Sequence, residues 1–470
     1  MLTFTDGKGG QKLCDGVSRR SFLQAGAMGL GGLTLADVLR ADEHSGRGSS
    51  NKAIINIHLD GGPPQMDMID PKPEAPKEIR GEFTPIPTKV PGFHVTELMP
   101  KMASIADKAV FLRSLVGAES RHDAFQCMSG FSEKDMKSIG GRPALGCVLG
   151  KLLGSSQDKA PTYVDLMQGR PLARNSARPG FLGPAYSAFR PDISHMFKRE
   201  LEDGMKLELA RLGAGHQVSM KPLESVPIAR LDHRLELLSA LDRMPRELDS
   251  SGKMGALDKF TQQAYGILTS GRFAEAMDLE KEDSRVIDRY TPEPISDLAF
   301  TTAEGPKAAR KLLLSRRLVE AGVRCVSVSI SDFDTHSSNF PRMKQLVPIV
   351  DHALHALITD LEERGMLDDV TVIAWGEFGR TPKINSKGGR DHWPKVAMGI
   401  MAGGGMPGGL VLGATDKYAA EATDRPIHYQ DVIATLYHKI GIDPHATTVE
   451  DPTGRPQYLL TSGHPIPELV

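Results

Sequence analysis

Five loops of this sequence concentrate the residue types that hold divalent cations and anionic esters. The densest is Ser331-Asp332-Phe333-Asp334-Thr335-His336, where two carboxylates and an imidazole fall within five residues just past an apolar run ending at Ile330. Carboxylate oxygen and neutral imidazole nitrogen together suit zinc, manganese or a similar ion. A hydrogen-bonded turn with a capping Asp is the competing reading. Gly376-Glu377-Phe378-Gly379-Arg380-Thr381-Pro382 and Gly388-Gly389-Arg390-Asp391-His392-Trp393-Pro394 add Glu377, a second Asp-His pair and two arginines. The planar fork of Arg380 or Arg390 matches a tetrahedral oxyanion such as phosphate or sulfate. Near the start, His58-Leu59-Asp60-Gly61-Gly62 is followed by Asp67. An acidic strand tip beside Gly-Gly, which lets a backbone come close to a ligand, marks Asp60 and Asp67 as ligands or as acidic turn residues. The fifth loop, Ser120-Arg121-His122-Asp123, offers Ser120 and His122 as nucleophile, base or ligand, with Ser120 equally suited to capping a helix.

Such residues act together only if the chain brings their loops to one place. The sequence predicts β-branched strands at 53–59, 110–112, 163–166, 324–330, 370–375 and 396–402, with amphipathic helices over 307–321 and 343–363. A last helix over 429–440 stops at Gly441. Strands alternating with long helices imply an α/β fold with a largely parallel sheet sandwiched by helices. Ligands collect at the C-terminal strand ends of such sheets, which is where these loops fall. The stretch at about 190–290 is charged, has a helical pattern and holds no strand, so it reads as a helical insertion in a domain spanning 42–470.

Composition narrows the class. Lys and Arg number 57 against 59 Asp and Glu, a formal charge of -2, so no basic field favours nucleic acid. With 40% hydrophobic and 25% charged residues the chain is neither a polytopic membrane protein nor a disordered one. Ser18-Arg19-Arg20-Ser21-Phe22-Leu23, followed by a Gly-rich apolar run, fits a twin-arginine export signal over residues 1–41. Its reading implies the twin-arginine translocase as a transient partner, a periplasmic or otherwise exported mature protein, and no stable membrane span after signal removal. Beyond the signal, Cys127, Cys147 and Cys325 show no zinc-finger or CxxC spacing. No P-loop or GxSxG motif is present, which disfavours ATP and lipase-type chemistry.

The sequence resembles the domain-of-unknown-function 1501 family, exported bacterial proteins abundant in planctomycetes and related to the alkaline phosphatase and sulfatase superfamily. The resemblance runs over nearly the whole mature chain. It rests on Gly61-Gly62-Pro63 with Asp67 and Asp70-Pro71-Lys72-Pro73, on His122, and on Gly180-Phe181-Leu182-Gly183-Pro184 and Asp334-Thr335-His336. It continues through the Trp375 to Pro382 and Gly389 to His392 motifs, Tyr429-Gln430-Asp431 and Gly463-His464-Pro465-Ile466. The resemblance implies an alkaline-phosphatase-like core. It also implies one metal site from Asp332 or Asp334 with His336 and His392, and a second to which Asp60 and Glu377 contribute, with Ser120 near the nucleophile position. Two departures stand out. Phe378 occupies the place of an expected histidine, and the Cys-x-Pro-x-Arg motif of formylglycine sulfatases is absent.

Residues and resemblance together lead to the expectation of a metal-dependent hydrolase of phosphate or sulfate esters on a small molecule or polysaccharide. The metal group would draw on Asp60, Asp67, Asp332, Asp334, His336, Glu377, Asp391 and His392, binding zinc, manganese, calcium or magnesium. Ser120, His122, Arg380 and Arg390 would serve catalysis. The rival expectation is a non-catalytic exported binding or assembly protein that keeps the fold.

Overall fold

Seven consecutive buried residues, Ala53–Leu59 (β1), form the middle of the sheet because both of their faces meet apolar layers. Ile55, Ile57 and Leu59 face one layer, and Ile54 and Asn56 face the other, as the two-residue period of a strand requires. The computed structural model describes residues 52–155, 158–167, 177–191, 193, 196, 271–293 and 304–470. The expected signal at 1–41 and most of the expected insertion at 190–290 lie outside them. The described end of that insertion carries helices at Arg272–Met277 and Ser284–Arg289.

The remaining strands of the main sheet are Ala109–Val116 (β2), Tyr163–Leu166 (β3), Cys325–Ile330 (β4), Val370–Trp375 (β5), Ala397–Gly403 (β6), Leu410–Leu412 (β7) and Ile427–His428 (β8). Their order is β7-β2-β6-β5-β1-β4-β3, with β8 also pairing with β2. The pairs β1 with β4, β1 with β5, β3 with β4 and β7 with β2 are parallel. Only β6 runs against its neighbours β5 and β2. The α/β class and the largely parallel sheet expected from the sequence are therefore present.

Helices cover both faces. Arg310–Glu320 (α2) and Asn339–Glu363 (α3) pack one side, burying Leu312, Leu313, Leu346, Val350, Leu354 and Leu357 against β1 and β4. Leu145–Leu153 (α1) and Tyr429–Lys439 (α4) pack the other. Long β-branched strands buried on both faces leave little freedom in register, since any slip would break two apolar layers at once. Among the described residues no helix is long and apolar enough to cross a membrane. Cys127, Cys147 and Cys325 are buried free thiols, and burial raises the pKa of each.

The register sets the site. Leu59 lies opposite Ile330, and His58 lies opposite Trp375. The loops that follow β1, β4 and β5 therefore leave the sheet at one level. The loop after β2 leaves at the same edge, because β6 is antiparallel to both β2 and β5. For the same reason the residues before β6 arrive at that edge. A carboxyl-end loop and an amino-end loop meet there.

Candidate metal centre

Each side chain of the site is carried by a loop that the sheet edge anchors. Asp60 N–H donates to the Ile330 carbonyl at 3.0 Å, and Phe333 N–H donates back to the Asp60 carbonyl at 3.1 Å, tying the first and fourth strand loops together. Gly61 sits between them at φ 107°, and any Cβ there would collide with the Asp334 amide. Gly389 has the same duty one loop away, since a Cβ would run into the His336 backbone. Beneath the β4 loop, Lys311 and Glu304 form a buried ion pair, and Glu304 also accepts the Ser331 amide at 2.9 Å. Arg390 N–H donates to the Thr335 carbonyl at 2.9 Å, joining the His392 loop to the Asp334 loop.

Two groups of side chains result. In the first, His122, Asp334, His336 and His392 each offer one ligand atom, and these atoms lie within 4.8 Å of one another. His336 Nε2 is 3.0 Å from Asp334 Oδ1 and 3.1 Å from His392 Nε2. His392 Nε2 is 3.3 Å from the same Asp334 oxygen, and His122 Nε2 is 3.1 Å from Asp334 Oδ2. In the second group, His58, Asp60 and Glu377 converge, all of them buried. His58 Nε2 lies 3.4 Å from Glu377 Oε2 and 3.9 Å from Asp60 Oδ1. His122 bridges the groups, its Nδ1 being 3.1 Å from Glu377 Oε1.

The far sides of the rings are held. His336 Nδ1 meets Asp391 Oδ1 at 2.7 Å, and His392 Nδ1 meets the Ser120 carbonyl at 3.3 Å. With Nδ1–H donating in each ring, Nε2 presents its lone pair toward the centre. Asn385 Nδ2 donates to Asp391 and to the His336 carbonyl, fixing the outer carboxylate. The Phe378 ring, fully buried, lies 4.4 Å from the His392 ring and 5.3 Å from that of His122, so it walls the group on one side.

Electrostatics follow the contacts. Burial disfavours the charged form of Asp334, but hydrogen bonds from His122, His392 and Arg380 outweigh it and hold the carboxyl well below the usual range. Burial likewise opposes protonation of His122, yet its bonds to Asp334 and Glu377 push its pKa up to about 9. Glu377 is lowered against its own burial by His122 and the charge of His58, and Gly61 N–H donates to it at 3.0 Å. Desolvation lowers His58.

The structure distributes the residues singled out in the sequence unevenly. Asp334 enters the first group and Asp332 does not; the latter is half-buried with φ 82°. Asp391 stands one bond behind His336. Asp67, expected among the ligands, is fully buried and bonded at both oxygens by Arg390, with Asn339 Nδ2 on one of them at 2.7 Å. Arg390 completes its guanidinium on the carbonyls of Ile79, Thr381 and Pro382. Arg380, also expected as an anion clamp, is buried and donates to Asp334 Oδ1 at 2.6 Å and to the carbonyls of Gly61, Gly62 and Arg390. Both guanidiniums thus work inside the protein, where desolvation makes such satisfied contacts obligatory. Ser120 is exposed, and its carbonyl rather than its hydroxyl contacts the group. Of the expected ligands, Asp334, His336 and His392 share one group while Asp60 and Glu377 share the other. His392 reaches the edge from the front of an antiparallel strand, not from the end of a parallel one. His58 is a member of the group that the sequence does not single out; its signal is the two-residue spacing from Asp60, the residue that follows β1.

Three imidazoles and a carboxylate are a donor set for zinc, manganese or a related ion. The second group fits a cation as well, because both ring nitrogens of His58 are buried without a hydrogen-bond partner among the described residues, a cost that a ligand-metal bond would remove.

Solved structures similar to this chain include the PsFucS1 sulfatase from Pseudoalteromonas sp., at 12% identity over 87% of this chain and 70% of that one, TM-score 0.36. A protein in the alkaline phosphatase superfamily from Vibrio parahaemolyticus matches at 10% identity over 85% of this chain and 68% of that one, TM-score 0.38. Phosphonate monoester hydrolase from Silicibacter pomeroyi matches at 11% identity, covering 85% and 74%, TM-score 0.36. No curated protein matches the chain in sequence. A family model described as protein of unknown function (DUF1501) matches residues 51–470, and the chain belongs to that family.

Proposed function

We propose that this protein is a metal-dependent hydrolase of phosphate or sulfate esters, exported by its twin-arginine signal and working in the periplasm. The observation that carries the reading is the convergence of His122, Asp334, His336 and His392 ligand atoms within 4.8 Å at the sheet edge. These four would hold one divalent cation, and His58, Asp60 and Glu377 a second. Bound there, a divalent ion supplies a Lewis acid for an ester oxygen. The chain's own contribution is positional. Asp391 and the Ser120 carbonyl hold His336 and His392 in the tautomer that aims Nε2 inward, and Arg380 fixes Asp334 while the backbone of Gly61 and Gly62 fixes Arg380. Phe378 excludes water from one flank. The attacking oxygen comes from water or from Ser120, whose loop borders the group.

The likeness of the loop motifs to the alkaline phosphatase and sulfatase superfamily supports this reading. Phe378 favours a second one, a binding or assembly protein that retains the fold and a single ion, because an apolar ring takes the space of a ligand beside His392. Elemental analysis of protein purified without chelators, with a screen of aryl phosphates and sulfates, decides between them. Bound metal with turnover supports the hydrolase, and metal without turnover of any ester supports the second reading.

A further inference from the structure

Behind the first group of ligands lies a cleft of about 700 Å³ that the metal chemistry does not use. It begins where the centre ends, since Asp391, which holds His336, also lines it. Gly379–Arg380 and His392–Trp393 pair as a short antiparallel ribbon. Successive residues of a strand point to opposite faces, so His392 serves the ligand group while Trp393 faces the cleft.

The lining has two characters. Trp393, Tyr418, Ile384 and Pro382 give it aromatic and aliphatic walls. Several of its polar atoms are already committed: Trp393 Nε1 donates to the Ala420 carbonyl at 2.7 Å, Thr381 Oγ1 donates to the Lys383 carbonyl at 3.0 Å, and Asn385 Oδ1 accepts the Lys387 and Gly389 amides. The indole is thus a fixed plate offering its surface. Lys383 Nζ, Ser386 Oγ and Tyr418 Oη make no hydrogen bond to a described residue and remain for a ligand. Lys417 lies 4.9 Å over the Tyr418 ring and adds positive charge at the rim, whereas Lys395, 5.4 Å over the Trp393 ring, is neutralised by its pair with Glu421.

An occupant matched to this lining has a flat apolar face, hydroxyls at its edge and negative charge. A pyranose ring of an anionic oligosaccharide has all three, because its axial C–H face packs on aromatic surface while its hydroxyls and charged groups meet donors. We infer that this cleft binds a sugar ring of the substrate at a remove from the scissile ester, so that the substrate is an anionic glycan; the substrate part of this inference rests on the hydrolase reading above. A bare aryl ester would fill the walls and leave Lys383, Ser386 and Tyr418 Oη unmatched.

The sequence holds two tryptophans, and the other, Trp375, is fully buried and stacked on Tyr429. Tryptophan emission therefore reports the cleft. The full mature chain, with and without chelator, is titrated with sulfated tetrasaccharides of chondroitin, heparin and galactan type, and with phenyl sulfate. At least one tetrasaccharide should change the emission saturably in both states. Binding should weaken about tenfold in Tyr418→Ala, the worth of one aromatic contact, and also in Lys383→Ala. Phenyl sulfate should not compete. No emission change with any tetrasaccharide, or binding unaltered in both variants, overturns the inference. Turnover of aryl esters and release of sulfate from the tetrasaccharides, followed in parallel, separate the two claims. Turnover without glycan binding removes the cleft proposal alone, and glycan binding without any turnover supports the cleft and removes the hydrolase.

Discussion

His336 and His392 stand with their Nε2 atoms 3.1 Å apart although 56 residues separate them in the chain. Each ring is tethered at its other nitrogen, so two lone-pair positions are directed to one point that Asp334 shares. Loss of either imidazole should therefore act on metal binding before it acts on folding. His336→Ala and His392→Ala should each lose bound metal and the thermal shift that added zinc or manganese gives the parent, a stabilisation on the order of 3 kcal/mol at a hundredfold excess of ion. Unchanged metal stoichiometry in both variants would remove the centre.

The second group gives an independent expectation. His58 has no hydrogen-bond partner among the described residues, so His58→Phe should keep the fold and lose only the cation held with Asp60 and Glu377. Elemental analysis should show the metal content reduced but not abolished. A chain that carries the same metal content with Phe at that position has no ligand in His58.

Asp67 and Arg390 predict a stability effect rather than a catalytic one. Both are fully buried, and the pair is bidentate, so Asp67→Ala leaves a charged guanidinium uncompensated. The cost should be about 3–5 kcal/mol in urea unfolding of the metal-free protein. A loss below about 1 kcal/mol, the worth of an exposed pair, would show that solvent reaches the site.

Asp351 provides a pH test remote from the metal groups. It lies on α3, accepts the Met102 and Lys101 amides at 2.7 and 3.0 Å, and is pushed up to about 7 by burial, an effect those two bonds and the Lys101 charge only partly offset. A carboxyl with a raised folded pKa binds its proton more tightly when folded, so stability falls as pH rises from the unfolded value toward 7 and is level above it. The loss is on the order of 4 kcal/mol. Asp351→Asn should remove this fall. Urea unfolding of the pair from about pH 4 to about pH 8 checks it; a constant difference across that range would show an unshifted Asp351.

The export proposed above would depend on Arg19 and Arg20. Their joint replacement by lysine should leave the precursor in the cytoplasm on fractionation. Full periplasmic recovery of the variant would rule out the twin-arginine route.

Apolar periodicity and glycine placement act over a few residues, and from the sequence they locate six of the eight main-sheet strands, three of the four covering helices and the loops that carry chemistry. Ala53–Leu59, Tyr163–Leu166 and Val370–Trp375 stand where that periodicity put them. Local pattern also marked the loop from Asp332 to His336, and His392, as worth testing. Three matters were decided only by tertiary structure. Asp332 and Asp334 are equivalent in composition, and only the turn after Ile330, with Asp332 at φ 82°, sends Asp334 inward. Asp67, Arg380 and Arg390 look like ligands and anion clamps from their types, but burial obliges each to be satisfied by partners remote in sequence. His58 becomes a candidate ligand only once β5 and the β2 loop bring Glu377 and His122 beside it. Charge and burial are properties of the assembled neighbourhood, and a side chain's role follows from what surrounds it after the strands have paired.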